Sequence, residues 1–515
     1  MAKSTAVSLD RVSRVVGYKI KSGTFGGDTP NLPQRIAILA EANFDKQPIL
    51  DETPFEFSDA RAVGEKMGFG SPAHLIARIL RPASGNLLGG IITEMYPVKS
   101  PTSGATASSV SYDVAFGGSA PTKTMTHYIV IAGRKYVDGQ SYAFTVTPDD
   151  SEADVKQKMV DAVNAVLNAP VIAKVDSETG EFEISTKWTG QTGADLKMSI
   201  DTNGDDAGVI YSEIAATAGA GLPDIDTALG YFGEKWNTLV VNSFGFDVAD
   251  ILENFNGVPD PLNPTGRYNP TDFRPFVALA GTTVSTIADI AALTDKPERK
   301  SQVTNVLCPA PNSDGFSFEA AANMAASTAL ISQDYPHLGN GGRVYPDMPV
   351  PADGVIGEFG DYNGRDQIAK KGSSTVSLEN GVYTVQDYFT TYHPDGEYPP
   401  KFRKVRDINV DWNLAFGWLI IMKRDIQDKA IIGDSVPVRV SETITPTQAK
   451  QLVYSFITEK AALALIADPE FSQDSVEVEI NQTNPARLDI FFRYKRTSTA
   501  DIVSTDAEVD FAFSL

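Results

Sequence analysis

Cysteine is almost absent from this chain. Cys308 stands alone, so neither a disulfide framework nor a thiolate metal cluster can be built. It closes the apolar run Val306-Leu307-Cys308 and reads as a small core residue. Histidine is scarce too. His74, His127, His337 and His393 show no H-E-x-x-H or other metal-ligand spacing, and each is expected in a loop or at the surface, not as a catalytic base. No apolar run approaches the roughly 18 residues of a membrane-spanning helix. The longest, residues 414–422, is interrupted by Gly417 and reads as a buried segment. No basic stretch followed by an apolar run opens the chain, so no export signal and no membrane insertion are expected. Bases are in the minority, 44 against 66 acids, for a formal charge of −22. Nucleic-acid phosphates would be repelled over most of such a surface, so direct binding to nucleic acid is not expected.

What is present is the composition of a globular protein, 42% hydrophobic and 21% charged over 515 residues, long enough for two to four domains. The charge is uneven. Residues 100–222 carry 16 acids and 8 bases, whereas residues 399–429 carry 7 bases and 4 acids. The first region reads as a solvated exterior. The second either meets an acidic partner or pairs with acids of its own such as Asp407 and Asp411.

Both ends of the sequence alternate. Val509, Phe511, Phe513 and Leu515 fall on one face of a strand, as do Val16, Tyr18 and Ile20. Each large apolar side chain contributes roughly 1.5–3 kcal/mol when fully buried. These ends therefore need a groove or a sheet edge, either in their own subunit or in a neighbour. A glycine-rich tract, Ser22-Gly23-Thr24-Phe25-Gly26-Gly27, follows the first of them and lets it swing away from the body.

Between the ends, residues 34–40 read as a buried strand. Two short helices follow, one over 59–67 capped by Ser58, the other opened by Ser71-Pro72 with Leu75, Ile76, Ile79 and Leu80 inward. From Ser100 the character changes. Two runs of small residues, 101–109 and 215–221, bracket a strand-rich block containing a helix capped by Ser151 and Asp154, and read as flexible joints. Beyond residue 222, strands near 237–241, 276–280 and 301–307 alternate with helices, which predicts a largely parallel sheet covered on both faces. A helix over about 315–332 is expected with Asp314 as its cap. Thr445-Pro446-Thr447-Gln448 forms a capping box for a helix running to about Ala467, with Leu452, Phe456, Leu463 and Ile466 inward.

Catalytic signals are weak. Pro311-Asn312-Ser313-Asp314-Gly315 is half of a nucleophile elbow, and Ser313 is better explained by the start of a helix. Gly339-Asn340-Gly341-Gly342 has the glycines of a phosphate loop without the lysine. The loop Asp201-Thr202-Asn203-Gly204-Asp205-Asp206 spaces oxygens as a calcium loop does, yet lacks the glycine and the final glutamate, so an Asn-Gly turn is the better reading. No catalytic residue, cofactor or metal is assigned.

The stretches that fit no enzyme do resemble a structural family. Ala60-Arg61-Ala62-Val63-Gly64-Glu65-Lys66-Met67-Gly68-Phe69-Gly70-Ser71-Pro72 resembles the A…FG-x-GS segment of contractile phage tail sheath proteins. Gly372-Ser373-Ser374-Thr375-Val376, Gly381-Val382-Tyr383-Thr384-Val385 and Thr390-Thr391-Tyr392 look like the family's GIST…G-V-x-I…TTY segment, and residues 404–418 look like the inner-domain segment that follows. Asp387 departs from the pattern, since relatives carry a basic residue near there, which leaves its ion-pair partner open.

The resemblance implies a multidomain α/β and α+β fold: a mixed α/β sheath core, an inserted β-rich domain and extended strand-forming arms. Its divisions are an N-terminal arm over 1–30, a middle α/β domain of 31–99 plus 222–388, and an inserted outer domain over 100–221. An inner, tube-proximal domain over 389–500 and a C-terminal arm over 501–515 complete it. It implies no enzymatic activity, and self-assembly into stacked hexameric rings. Arms carrying Val16, Tyr18, Ile20, Val509, Phe511, Phe513 and Leu515 would be exchanged between subunits, and Lys401, Arg403, Lys404 and Arg406 are candidate tube-facing residues. Expected partners are further copies of the chain, a tail tube protein, and baseplate and tail terminator or collar proteins. The expected location is the virion tail, assembled in the host bacterial cytoplasm. A surface-layer lattice protein is the rival reading, and an acid-pair hydrolase a more distant one.

Overall fold

Short apolar runs bounded by turn residues line up as a six-stranded sheet in the computed structural model, which describes residues 29–85, 88–101, 103–437 and 439–509. Val16, Tyr18, Ile20, Phe511, Phe513 and Leu515 lie outside the described residues. The strands are β1 (Arg35–Glu41), β2 (Phe55–Phe57), β3 (Ile92–Val98), β4 (Leu239–Asn242), β5 (Val277–Thr282) and β6 (Asn305–Pro309). Their order is β6-β5-β4-β1-β3-β2, with every neighbouring pair parallel except the short edge strand β2. Ile38 sits between Val241 of β4 and Met95 of β3.

Both faces are covered, as continuous apolar runs require. Ile36, Ile38, Leu239, Val241 and Leu279 pack under the helices α1 (Ala60–Met67), α2 (Pro72–Leu80) and α3 (Ser317–Asp334). Ala37, Leu39, Val240 and Ala278 pack under the helical turns Asp226–Gly230 and Ala249–Asn256. The parallel strands, taken in chain order, lie as second, first, third, fourth, fifth. The order therefore reverses between β1 and β4, and a crevice lies at their carboxyl ends.

Two caps differ from expectation. Asp59 instead of Ser58 caps α1, accepting the Ala62 amide at 2.9 Å. Helix α3 begins two residues later than the sequence suggests and has no cap of its own. Its first amide, at Ser317, donates 3.0 Å to the carboxylate of Asp195, which is 122 residues away. At α2, Ser71 accepts the His74 amide at 3.1 Å with Pro72 behind it, as expected.

Residues 109–217 form two larger antiparallel sheets and a short two-stranded ribbon of Tyr136–Val137 with Gln140–Ser141. Val209–Thr217, Ser109–Phe116, Phe182–Thr186 and Val171–Val175 make one; Met198–Asp201, Met125–Ile131 and Ala143–Val146 make the other. The helix Glu152–Asn164 carries both halves of its capping box. Asn203-Gly204 is a turn with positive φ at both residues, and lysines occupy the loop's carboxylates, Lys135 on Asp201 and Lys123 on Asp205. The two small-residue runs are not free joints. Thr106 and Ala220 exchange backbone hydrogen bonds of 3.0 and 3.2 Å, and the apolar interior of this region is continuous with that beneath α2 and α3.

Farther along, β7 (Thr375–Glu379) and β8 (Val382–Asp387) form a hairpin closed by Asn380-Gly381. Asp387 accepts from the Thr375 hydroxyl at 2.6 Å there, and the Arg403 guanidinium interacts with it electrostatically. The apolar run near 414–422 belongs to a helix, α4 (Val405–Ile421), and a second helix, α5 (Pro446–Ala462), crosses it. Helix α5 has the expected capping box but ends earlier than Ala467, because Ala464 turns the chain at φ +56. Its inward stripe is Ala449, Val453, Phe456 and Ile457, and Leu463 is exposed. Two strands, β9 (Glu477–Ile480) and β10 (Leu488–Phe491), complete the described elements. No helix among the described residues is long and apolar enough to cross a membrane.

Candidate functional site

The hairpin β9–β10 has two strands and, among the described residues, no third on either edge. A lone hairpin is marginal in water unless it gains further strands or packs against a helix, and an unpaired edge is a ready template for another strand. One face is partly buried: Val478 and Ile490 pack on α4 and α5, and Phe492 meets Trp418 and Phe456 at ring distances of 5.9 and 6.3 Å. Phe491 on the other face is half exposed. In the same module an open groove of about 620 Å³ runs between the end of α4 and α5, lined by Ile421, Arg424, Thr443, Leu452, Phe456 and Glu459.

The chain enters and leaves this module at adjacent places. Thr29, the first described residue, donates to the Glu459 carboxylate from its amide (3.0 Å) and its hydroxyl (2.7 Å), and its carbonyl accepts from buried Lys460. Leu32 donates to Asn413 of α4 at 2.8 Å. At the other end, residues 494–501 lie along the first turns of α4. Arg406 donates to the carbonyl and hydroxyl of Thr497, to the His337 carbonyl at 2.9 Å and to Asp407 at 2.9 Å. Asp411 accepts from the Tyr494 hydroxyl at 3.0 Å and faces Arg496 at 3.5 Å, while Lys404 pairs with Asp501. Burial pushes the Asp411 carboxyl up to about 6, against the opposing pull of Arg496. From residue 502 to 509 the side chains stand in solvent: Ile502, Val503 and Val509 are each at least 80% exposed.

The four basic residues singled out from the sequence are therefore not equivalent. Arg406 is buried. Arg403 lies over the Phe389 ring at 4.5 Å and donates to the Ala369 carbonyl, and burial lowers its pKa. Lys404 is partly exposed beside Asp501, and Lys401 is exposed, its carbonyl accepting from Arg496. Asp411 and Asp407, the acids the sequence offered as internal partners, do take this role; Tyr494, Arg496 and Glu459 escaped notice in the sequence. The available signal was Asp407 and Asp411, spaced i and i+4 on one helix face, opposite Tyr494 and Arg496, spaced i and i+2 in the segment that follows the last strand.

The catalytic candidates have structural employment. Ser313 donates to the Pro349 carbonyl at 2.6 Å and accepts the Gly315 amide at 3.0 Å. Two histidines expected at the surface are buried instead. His74 accepts the Gly70 amide through Nδ1, and burial lowers its pKa to about 4; His127 bridges the Tyr211 hydroxyl and the Asp205 carbonyl. His393 faces Asp295, which Lys371 and Lys300 also approach; these cations pull the Asp295 carboxyl down to about 2, overcoming its desolvation. Cys308 is fully buried, and burial raises its pKa.

No family model matches the chain, and no curated protein matches it. Among solved structures, a sheath tail protein from Desulfitobacterium hafniense is similar over 94% of this chain and 100% of its own, at 12% identity and a TM-score of 0.45. The sheath tail protein from Listeria innocua is similar over 92% of this chain and 94% of its own, at 10% identity and a TM-score of 0.44. The anti-feeding prophage helical sheath in its contracted state is similar over 97% of this chain and 100% of its own, at 8% identity and a TM-score of 0.44.

Proposed function

We propose that this chain is the sheath subunit of a contractile tail. It is a structural protein, not an enzyme, that polymerises as stacked hexameric rings around a tail tube and contracts to drive the tube through a host envelope. One observation carries the reading. The module of α4, α5 and β9–β10 offers a hairpin with unpaired edges and an open groove, and it holds both Thr29 and residues 494–501. The alternating segments around Val16, Tyr18 and Ile20 and around Val509, Phe511, Phe513 and Leu515 are, in this proposal, the strands that such edges take from neighbouring subunits.

In this reading each arm adds a strand to a neighbour's hairpin and keeps subunits linked while they rotate as rigid bodies. Residues 31–99 with 222–388 form the middle domain, 100–221 the outer β-rich insertion and 389–500 the inner domain, with arms over 1–30 and 501–515. The tube protein is met by the inner domain, with Lys401 and Lys404 as the exposed members of the basic cluster and Arg403 and Arg406 supporting them from behind. Baseplate and terminator or collar proteins bound the sheath at its ends, and the particle is a phage tail or a related injection device assembled in the host cytoplasm. Electron microscopy of the purified full-length chain tests this. Striated tubes are expected. Planar lattices would point to a surface-layer protein, and monodisperse particles under all polymerising conditions would overturn the assembly reading.

A further inference from the structure

The crevice at the carboxyl ends of β1 and β4 is the place where sheets of this strand order take ligands. Here the chain fills it with its own residues 188–197. Trp188 is fully buried against Phe316, ring to ring at 5.5 Å, and its indole N–H donates 2.9 Å to the Thr192 hydroxyl. Thr192 in turn donates to the carboxyl of Glu41, the last residue of β1. Gln191 reaches past the end of β4, donating to the Phe244 carbonyl at 3.2 Å and to Asp247 at 2.7 Å. Asp195 takes the amide at the start of α3, where a helix N-terminus would otherwise attract an external anion. Lys197 donates to the Ser313 carbonyl and to Asp314, both at 3.1 Å.

The same loop closes the neck through which the insertion leaves the sheet. Gly190 donates 3.0 Å to the Thr106 carbonyl, Gln191 donates 3.1 Å to the Gly221 carbonyl, and Ser108 bridges Gly193 and Gly219 through its hydroxyl. The fit excludes side chains. A Cβ at Gly190 would lie 3.0 Å from a Glu41 carboxylate oxygen and 3.5 Å from Pro101, and one at Gly219 would lie 2.3 Å from the Gly190 carbonyl oxygen. Arg134 adds a second tie to α3, meeting the buried carboxylate of Glu319 at 3.0 Å.

From this geometry we infer that residues 188–197 are an internal wedge that occupies the sheet's ligand crevice and locks the insertion to the core, so that the two turn as one lever. Small-residue runs at a domain neck ordinarily act as hinges. Here they are hydrogen-bonded to each other and to the wedge, so load on the insertion passes into β1, β4 and α3. The inference concerns the single chain and does not depend on its assembly.

Hydrogen exchange on the full chain tests it. In the wild type, amides of residues 104–109, 188–197 and 217–221 are expected to exchange as slowly as those of the insertion's own strands. Replacing Thr192 with Val keeps the shape and removes the link between Trp188 and Glu41. It is expected to speed exchange in those three segments roughly 10- to 100-fold, the effect of losing two buried hydrogen bonds, while β5 and β6 are unchanged. Asp195→Asn, tested in parallel, should speed the same segments and the first turn of α3. Wild-type neck amides that exchange as fast as exposed loops would overturn the inference. So would variants that leave the neck unchanged, or that speed β5 and β6 equally.

Discussion

Glu41 ends a strand with its carboxyl sealed beneath Gly190, and burial pushes its pKa up to about 8 from the ordinary 4.5. The folded chain therefore keeps a proton that the unfolded chain releases once pH passes about 4.5. Stability contributed by this group falls as pH rises between about 4.5 and 8, by at most about 1.4 kcal/mol per pH unit, and levels off above. Glu41→Gln, which cannot ionise, is expected to flatten that slope in melting temperature. Equal slopes for variant and wild type would refute it. Arg406 and Lys404 make a second contrast. Arg406→Ala removes the buried guanidinium that ties Asp407, the His337 carbonyl and Thr497 together, and is expected to cost roughly 3 kcal/mol and to expose residues 494–501 to limited proteolysis. Lys404→Ala breaks only a partly exposed pair with Asp501 and should cost under about 1 kcal/mol.

At the scale of elements, helix starts divide into those capped locally and those capped from afar. The Thr445–Gln448 box is local and fully formed, so Thr445→Ala is expected to lower stability by about 1 kcal/mol in chemical denaturation without changing the fold. Helix α3 depends on Asp195, a partner that only the folded chain supplies. Helix α4 shows why a long helix can be invisible in sequence. Val405, Ile408 and Trp412 join the main core, while Val410, Leu414 and Ile421 join the smaller core under α5. With two opposite faces buried, the apolar stripe that marks a surface helix disappears.

At the scale of the molecule, hydrogen bonds between the C-terminal segment and the body end near Asp501 among the described residues, and Ile502 and Val503 are exposed. Removing residues 504–515 is therefore expected to leave a folded monomer with unchanged circular dichroism and to abolish tubes in the microscope. Tubes of normal appearance from the shortened chain would sink that expectation. The insertion is a different matter. Its composition suggests a part that can be cut away at its joints, yet excision would uncover Phe316, the Glu41 carboxyl and the start of α3. An insoluble or destabilised remainder is the expected result.

Local patterns determined a good deal by themselves. The buried runs of β1, β4, β5 and β6, the Ser71-Pro72 and Thr445–Gln448 starts, the Asn203-Gly204 turn and the isolation of Cys308 each depend on a few neighbouring residues, and the sequence holds all of them. Partners distant along the chain were decided only by folding. Asp195 on α3, Thr192 on Glu41 and Thr497 on Arg406 are contacts between residues 91 to 151 positions apart, for which no spacing rule exists. The same reason explains why Lys401, Arg403, Lys404 and Arg406 read as one basic patch and became one exposed lysine, one paired lysine and two arginines turned inward. A charge run states what is available to pair; the tertiary structure decides which side chains face a carboxylate, a carbonyl or water.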